Sequence, residues 1–219
     1  MNTIPKPGNG LTYTAHTGCV DTTDNSLESI DAAVKYGAAI VEFDLNFTAD
    51  GTAVLSHDKP KGNEVTLSEA FKRISSFENL LVNVDVKNTS HLEAVKPLAE
   101  KHGIADRFFY TGITESDCAS VSKKSPGVPY YLNTKVRKLQ SKKYLEKLTK
   151  KVSDCGAIGI NFNKKNASKK LVDFFHEKGL LVSIWTANSE EDINRLLSFS
   201  PDNITTRRPD LFKSIIEKK

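Results

Sequence analysis

The sequence predicts a (β/α)8 barrel, a single domain over residues 1–219, and three observations carry the prediction. Short apolar, β-branched runs alternate with stretches of helical period, and this happens eight times. The runs are continuously apolar instead of alternating with polar residues, the pattern of a parallel sheet covered by helices on its outer face. Each unit takes about 26 residues, so the 219-residue chain is used up by the eight units with nothing left for a second domain. An open doubly wound sheet uses the same unit, and the count of eight ranks it second.

The units follow in order. "LTYTAH" is the first strand, and its helix begins near Ser26, which Glu28 follows. "AIVEFDLNF" is the second, continued after an "ADG" turn by "TAVLSHD"; its helix begins near Leu67, where Thr66 and Glu69 have the spacing of a capping box. "LLVNVDVK" leads to a helix near His91, "RFFYTGI" to one near Glu115, and "VPYYLN" to one near Ser141. "AIGINFN" leads to a helix near Ser168, and "LLVSIWTA" to one near Ser189, whose acids at 190, 191 and 192 suit the positive end of a helix dipole. "NITTRR" is the last strand, followed by a helix near Pro209. Gly37, Gly103 and Gly179 stand where a left-handed residue closes a helix before the next strand.

Composition excludes several classes. A hydrophobic fraction of 38% is enough for a real core, and no apolar run approaches the roughly 20 residues that span a bilayer. The opening "MNTIPKPGNG" has no basic start followed by an apolar stretch, so no secretory leader is expected. Cys19, Cys118 and Cys155 are odd in number and lack metal-ligand or CxxC spacing, which predicts free thiols and a cytoplasmic location. The net charge of +4 is uneven: residues 135–151 hold eight bases and one acid, Glu146. That run reads first as a solvated helix face and second as a weak contact for a phospholipid surface; lacking the interleaved aromatics of a stacking platform, it gives no expectation of nucleic acid.

In such a barrel, functional groups gather at the C-terminal ends of the strands. His16 ends the first strand. Glu42 and Asp44 lie two apart, on one face of the second. His57 and Asp58 end its continuation, Asp85 and Lys87 share a face of the third, and Trp185 closes the seventh. Three carboxylates at neighbouring strand ends need a compensating charge, and a divalent cation with oxygen ligands, magnesium or calcium, supplies it most simply. Two histidines bracketing that cluster can serve as general acid and base, with Lys87 facing an anion. Together these groups describe phosphodiester cleavage. His91, His102 and His176 lie on helical stretches at no common spacing and are assigned no function.

With these residues in view, the chain resembles the glycerophosphodiester phosphodiesterase family of metal-dependent (β/α)8 enzymes. The likeness runs from "AHTG" to "NITTRRP" and is strongest over "NSLESIDAAVKYGAAIVEFDLNFTADGTAVLSHD", with "VNVDVK" and "VSIWTAN" in support. It implies Glu42, Asp44 and Asp85 as metal ligands, His16 and His57 as the acid/base pair, Lys87 as a phosphate contact and Trp185 as a pocket wall, acting on a small phosphodiester.

The sequence departs from the family pattern in several places. The family's His-Arg-Gly is "HTG" here, which places Thr17 at the substrate where a phosphate-gripping arginine is usual, and a hydroxyl cannot replace a planar cation. Asp24-Asn25 replaces Glu-Asn, and Asp85 replaces a glutamate. Only "KPKGNEVT" separates Asp58 from the next helix, where the family commonly inserts a subdomain, so an open site is expected. Two other readings use the same residues: a barrel that binds phosphate esters or a protein partner without turnover, and a phospholipase D-like lyase that forms a cyclic phosphate.

Overall fold

The computed structural model describes residues 10–218. Eight strands run parallel: β1 (Thr12–Ala15), β2 (Ile40–Phe47), β4 (Leu81–Val86), β5 (Phe108–Thr111), β6 (Tyr131–Asn133), β7 (Gly159–Asn163), β8 (Leu181–Trp185) and β9 (Asn203–Thr206). β3 (Ala53–Leu55) folds back antiparallel on β2, as the turn after Phe47 implied. The hydrogen-bonded order is β5-β4-β2-β1-β9-β8-β7-β6. Between the two ends of that path, β5 and β6, the ring closes through a parallel bridge from Tyr110 to Tyr130 and a bond from the Tyr110 N–H to the Pro129 carbonyl.

Eight helices cover the ring: α1 (Leu27–Lys35), α2 (Leu67–Ser75), α3 (Val95–Lys101), α4 (Cys118–Lys124), α5 (Lys142–Asp154), α6 (Lys169–His176), α7 (Glu190–Leu197) and α8 (Pro209–Ile216). The expected caps are in place. Ser26, Ser141, Ser168 and Ser189 each accept a backbone N–H three residues on, and Thr66 with Glu69 forms the reciprocal box. The fourth helix starts later than the sequence suggests. Asp117 first turns its carboxylate back to the Thr114 N–H, and regular helix begins only at Cys118.

Side chains alternate across the strands, and the two faces differ in kind. The outward set, including Val41, Phe43, Leu45, Val82, Val84, Ile160 and Ile204, packs with the helices into the main apolar core. Inward, Ile40, Leu81, Phe109, Tyr131 and Leu181 form a separate apolar plug low in the barrel. Above it lies a polar layer: Asn203 accepts from Thr14 and donates to Ser183, the Thr111 hydroxyl lies 2.8 Å from Asn83 Oδ1, and Asn161 donates to Asn133.

The cysteine expectation is corrected. Cys118, at the start of α4, is bonded to Cys155, the C-cap of α5, and only Cys19 is a free, buried thiol. Spacing in sequence could not reveal the pair, because it is the ring closure that brings α4 beside α5. With two of the three thiols paired, the cysteines give no support to a reducing compartment. Among the described residues no helix is long and apolar enough to cross a membrane.

Candidate active site

His16, Glu42, Asp44, His57, Asp85, Lys87 and Trp185 line one cavity of about 590 Å³ at the C-terminal mouth of the barrel, and Thr17 and Asp58 do not. Parallel register does the positioning: Glu42 pairs with Asn83, and Asp44 with Asp85, across β2 and β4. Glu42, Asp44 and Asp85 each offer an oxygen such that all three lie within 4.8 Å of one another. Three hard oxygen donors on adjacent rigid strands, open on one side, suit a magnesium or calcium ion.

Each carboxylate is held by a neighbour. Asn25 clamps Asp44 at both ends, its Nδ2 donating to Oδ2 at 2.9 Å while its Oδ1 accepts the Asp44 N–H at 2.9 Å. Glu42 Oε2 accepts the Thr17 N–H at 2.9 Å, and Asp85 Oδ1 accepts the Thr111 hydroxyl at 2.6 Å. Burial pushes the Glu42 carboxyl up to about 7; Asp44 and Asp85 add to the rise, and His16 and the Thr17 N–H oppose it. Lys87 bridges Asp44 at 2.8 Å and Asp85 at 2.5 Å. Burial alone would lower the Lys87 pKa, but the two carboxylates outweigh it and hold the ammonium above its ordinary range.

His16 Nδ1 lies 2.9 Å from the Thr17 carbonyl and 3.7 Å from Glu42. A carbonyl only accepts, so Nδ1 carries the hydrogen of that bond. His57, whose side chain is 68% exposed, bonds through Nδ1 to Asp58 at 3.0 Å. None of residues 59–66 lines the cavity, in keeping with the short connection to α2.

Thr17 is corrected. It is 2% exposed, its hydroxyl accepts the Asn25 N–H at 2.5 Å, and it does not line the cavity. It ties the first loop to Asn25, away from the cavity surface. The cation of this quarter is Arg207. It stands just beyond β9, beside His16, whose N–H bonds the Thr206 carbonyl. Its Nη1 pairs with Asp24 at 2.8 Å, and the two side chains lie across Gly18. A Cβ on Gly18 would come within 2.0 Å of Asp24 Oδ1 and 2.7 Å of Arg207 Nη1, and its φ is +69°, so only glycine fits there.

Asn133 and Asn161, which line the opposite wall, were not among the candidates the sequence offers. Their signal was a polar amide at or near the end of two otherwise apolar strands, "VPYYLN" and "AIGINFN". Asn161 Oδ1 and the indole N–H of Trp185 are buried without hydrogen-bond partners, one acceptor and one donor at the same cavity.

The family model for the glycerophosphoryl diester phosphodiesterase family matches residues 10–70 and 67–211. The chain belongs to that family. It is accordingly a phosphoric diester hydrolase of the glycerophosphodiester phosphodiesterase kind. Over 88% of its length it is 25% identical to a probable glycerophosphodiester phosphodiesterase 2 of Mycobacterium tuberculosis, covering 84% of that protein. It is 23% identical to a glycerophosphodiester phosphodiesterase of Bacillus altitudinis, covering 89% of this chain and 93% of the other. A putative glycerophosphoryl diester phosphodiesterase of Silicibacter pomeroyi has the same fold, with a TM-score of 0.81, 16% identity and coverage of 97% and 95%. So does a phosphodiesterase of Oleispira antarctica solved with the product sn-glycerol-3-phosphate, at a TM-score of 0.79, 18% identity and coverage of 95% and 97%.

Proposed function

We propose that this hydrolase cleaves small glycerophosphodiester-like substrates with a magnesium or calcium ion held by Glu42, Asp44 and Asp85. The observation that carries the reading is the convergence of those three oxygens beside two histidines on one rim. When bound, such an ion supplies positive charge against the phosphate oxygens.

The chain's own groups supply the rest. His16, fixed through Nδ1, presents Nε2 as the base that takes a proton from the attacking water. The Glu42 carboxylate behind the ring offsets the charge it gains. His57, oriented by Asp58, returns a proton to the leaving alkoxide. Lys87 and Arg207 are the lysine and arginine lining the cavity, and both meet the phosphate. Arg207 takes the part expected of an arginine between His16 and Gly18, reaching the same space from the far end of the chain. Trp185 and the amides of Asn133 and Asn161 receive the alcohol. The bound sn-glycerol-3-phosphate of the Oleispira antarctica protein agrees with a glycerol-bearing substrate.

The test is turnover of glycerophosphocholine followed by phosphorus NMR, with and without a chelator, beside the Glu42→Ala and Asp44→Ala variants. Chelator-sensitive release of a phosphomonoester, lost in both variants, is expected. Undiminished activity in either variant would remove the proposed ion site, and a cyclic phosphate as the end product would reassign the attack to a substrate hydroxyl.

A further inference from the structure

The basic run of residues 135–151 is only partly explained by a solvated helix. Its second half is α5, whose lysines line the outside of the barrel. Its first half is the loop after β6, on the same rim as the cavity, because loops that follow parallel strands all emerge on one side.

That loop is firmly built. Val136 is buried, and its carbonyl accepts from Asn166 at 2.7 Å. Gln140 donates to the Asn166 carbonyl at 2.7 Å and accepts from Ser168 at 2.5 Å, while its own carbonyl accepts from Lys170 at 2.8 Å. Between these anchors, Leu139 is 83% exposed, against 41% and 38% for Leu11 and Ile216, the other exposed large apolar residues among those described. A single exposed leucine is ordinary. This one lies within an anchored loop, and the charged residues that flank it from 135 to 143 are all basic. Lys135, Arg137, Lys138, Lys142 and Lys143 are exposed, and among the described residues none has a carboxylate within ion-pair distance. Arg137 instead stacks on Tyr144, 5.6 Å from the ring centroid. Lys165, on the neighbouring loop tied in through Asn166, is exposed and unpaired as well.

An apolar tip ringed by unpaired cations matches the interface of an anionic bilayer, where the headgroup charge attracts the bases and the leucine enters the acyl boundary. From these observations we infer that the β6–α5 loop docks the barrel mouth onto an anionic phospholipid surface, with Leu139 as the inserted residue and Arg137, Lys138 and Lys143 as headgroup contacts. Docking there turns the cavity toward the membrane, where phosphodiesters with one long acyl chain are presented. The inference is independent of the catalytic assignments above.

Co-sedimentation of the full chain with vesicles of phosphatidylcholine alone, and of phosphatidylcholine mixed with phosphatidylglycerol, tests it. Binding to the mixed vesicles only, weakened by salt, is expected. Arg137→Ala with Lys138→Ala should lower the partition coefficient at least about tenfold, since each base near an anionic surface is worth a factor of about five. Leu139→Ser should lower it several-fold even where salt has screened the charges. Hydrolysis of water-soluble glycerophosphocholine should stay at the parent rate in these variants, which separates a failure of docking from a failure of the catalytic reading. Equal binding to both vesicle types, or no loss in the variants, overturns the inference. So does tighter binding to a DNA oligonucleotide that Leu139→Ser leaves unchanged, because the patch would then serve nucleic acid.

Discussion

The two halves of the barrel mouth have the same backbone and opposite chemistry. On β1, β2, β4 and the β3 extension stand His16, Glu42, Asp44, Asp85, Lys87 and His57, all ionisable and each tied to a neighbour. On β6, β7 and β8 stand Asn133, Asn161 and Trp185, neutral groups with an unfilled acceptor and an unfilled donor. Under the function proposed above, the contrast would separate bond breaking from recognition, with the chemistry in the charged half and selection of the alcohol in the amide half. Arg207, at the β9 junction with β1, joins the two.

The largest expected effect lies in the charged half. His16→Ala or His57→Ala should reduce kcat by roughly 10²- to 10⁴-fold with little change in metal affinity, measured by steady-state kinetics and calorimetry. Near-parental turnover in either would remove that ring from the reaction. Arg207→Ala comes next. A charged hydrogen bond is worth about 1.5 to 3 kcal/mol, so kcat/KM should fall roughly 10- to 100-fold. Thr17→Arg should bring no compensating gain and should lower Tm instead, because Thr17 is 2% exposed against Glu42. A rise in kcat/KM would show that the cavity tolerates an arginine from the first loop after all.

Asn25→Ala removes both bonds to Asp44 and should weaken metal binding by roughly 10- to 100-fold while the fold persists, as seen by metal titration against Tm. The smallest effect should come from the amide half. Asn161→Ala should raise KM a few-fold and leave kcat near the parent value, consistent with about 1 kcal/mol for a neutral hydrogen bond. An equal collapse of kcat there would abolish the proposed division between the halves.

Most of the fold was legible in the sequence because the outward faces of the strands are apolar and the helices carry their caps in plain order, as Ser141, Ser168 and Ser189 show. The charged half was legible too, since Glu42, Asp44, Asp85 and Lys87 are conspicuous in apolar strands. Three features were hidden for one reason: each joins residues far apart in the chain. Arg207 reaches Asp24 only because β9 pairs with β1. Asn161 meets Asn133 only through the β6–β7 register. Cys118 meets Cys155 only once the ring is shut. The burial of Thr17 was not legible, because its place in a motif says nothing of its exposure.

That bond between cysteines bears on how the ring behaves as a mechanical object. The barrel resembles a bracelet whose links are continuous ladders everywhere except between β5 and β6, where one bridge from Tyr110 to Tyr130 and the bonds from the Tyr110 N–H to Pro129 and from the Asn133 N–H to Ile113 make the join. The covalent tie crosses the molecule at that weak link, since α4 follows β5 and α5 follows β6, and it acts as a clasp. By chain entropy, closing a loop of 37 residues contributes on the order of 4 kcal/mol. Cutting the tie by reduction should therefore lower Tm, while Glu42, Asp44 and Asp85, held on β2 and β4 and not on the strands it fastens, stay assembled.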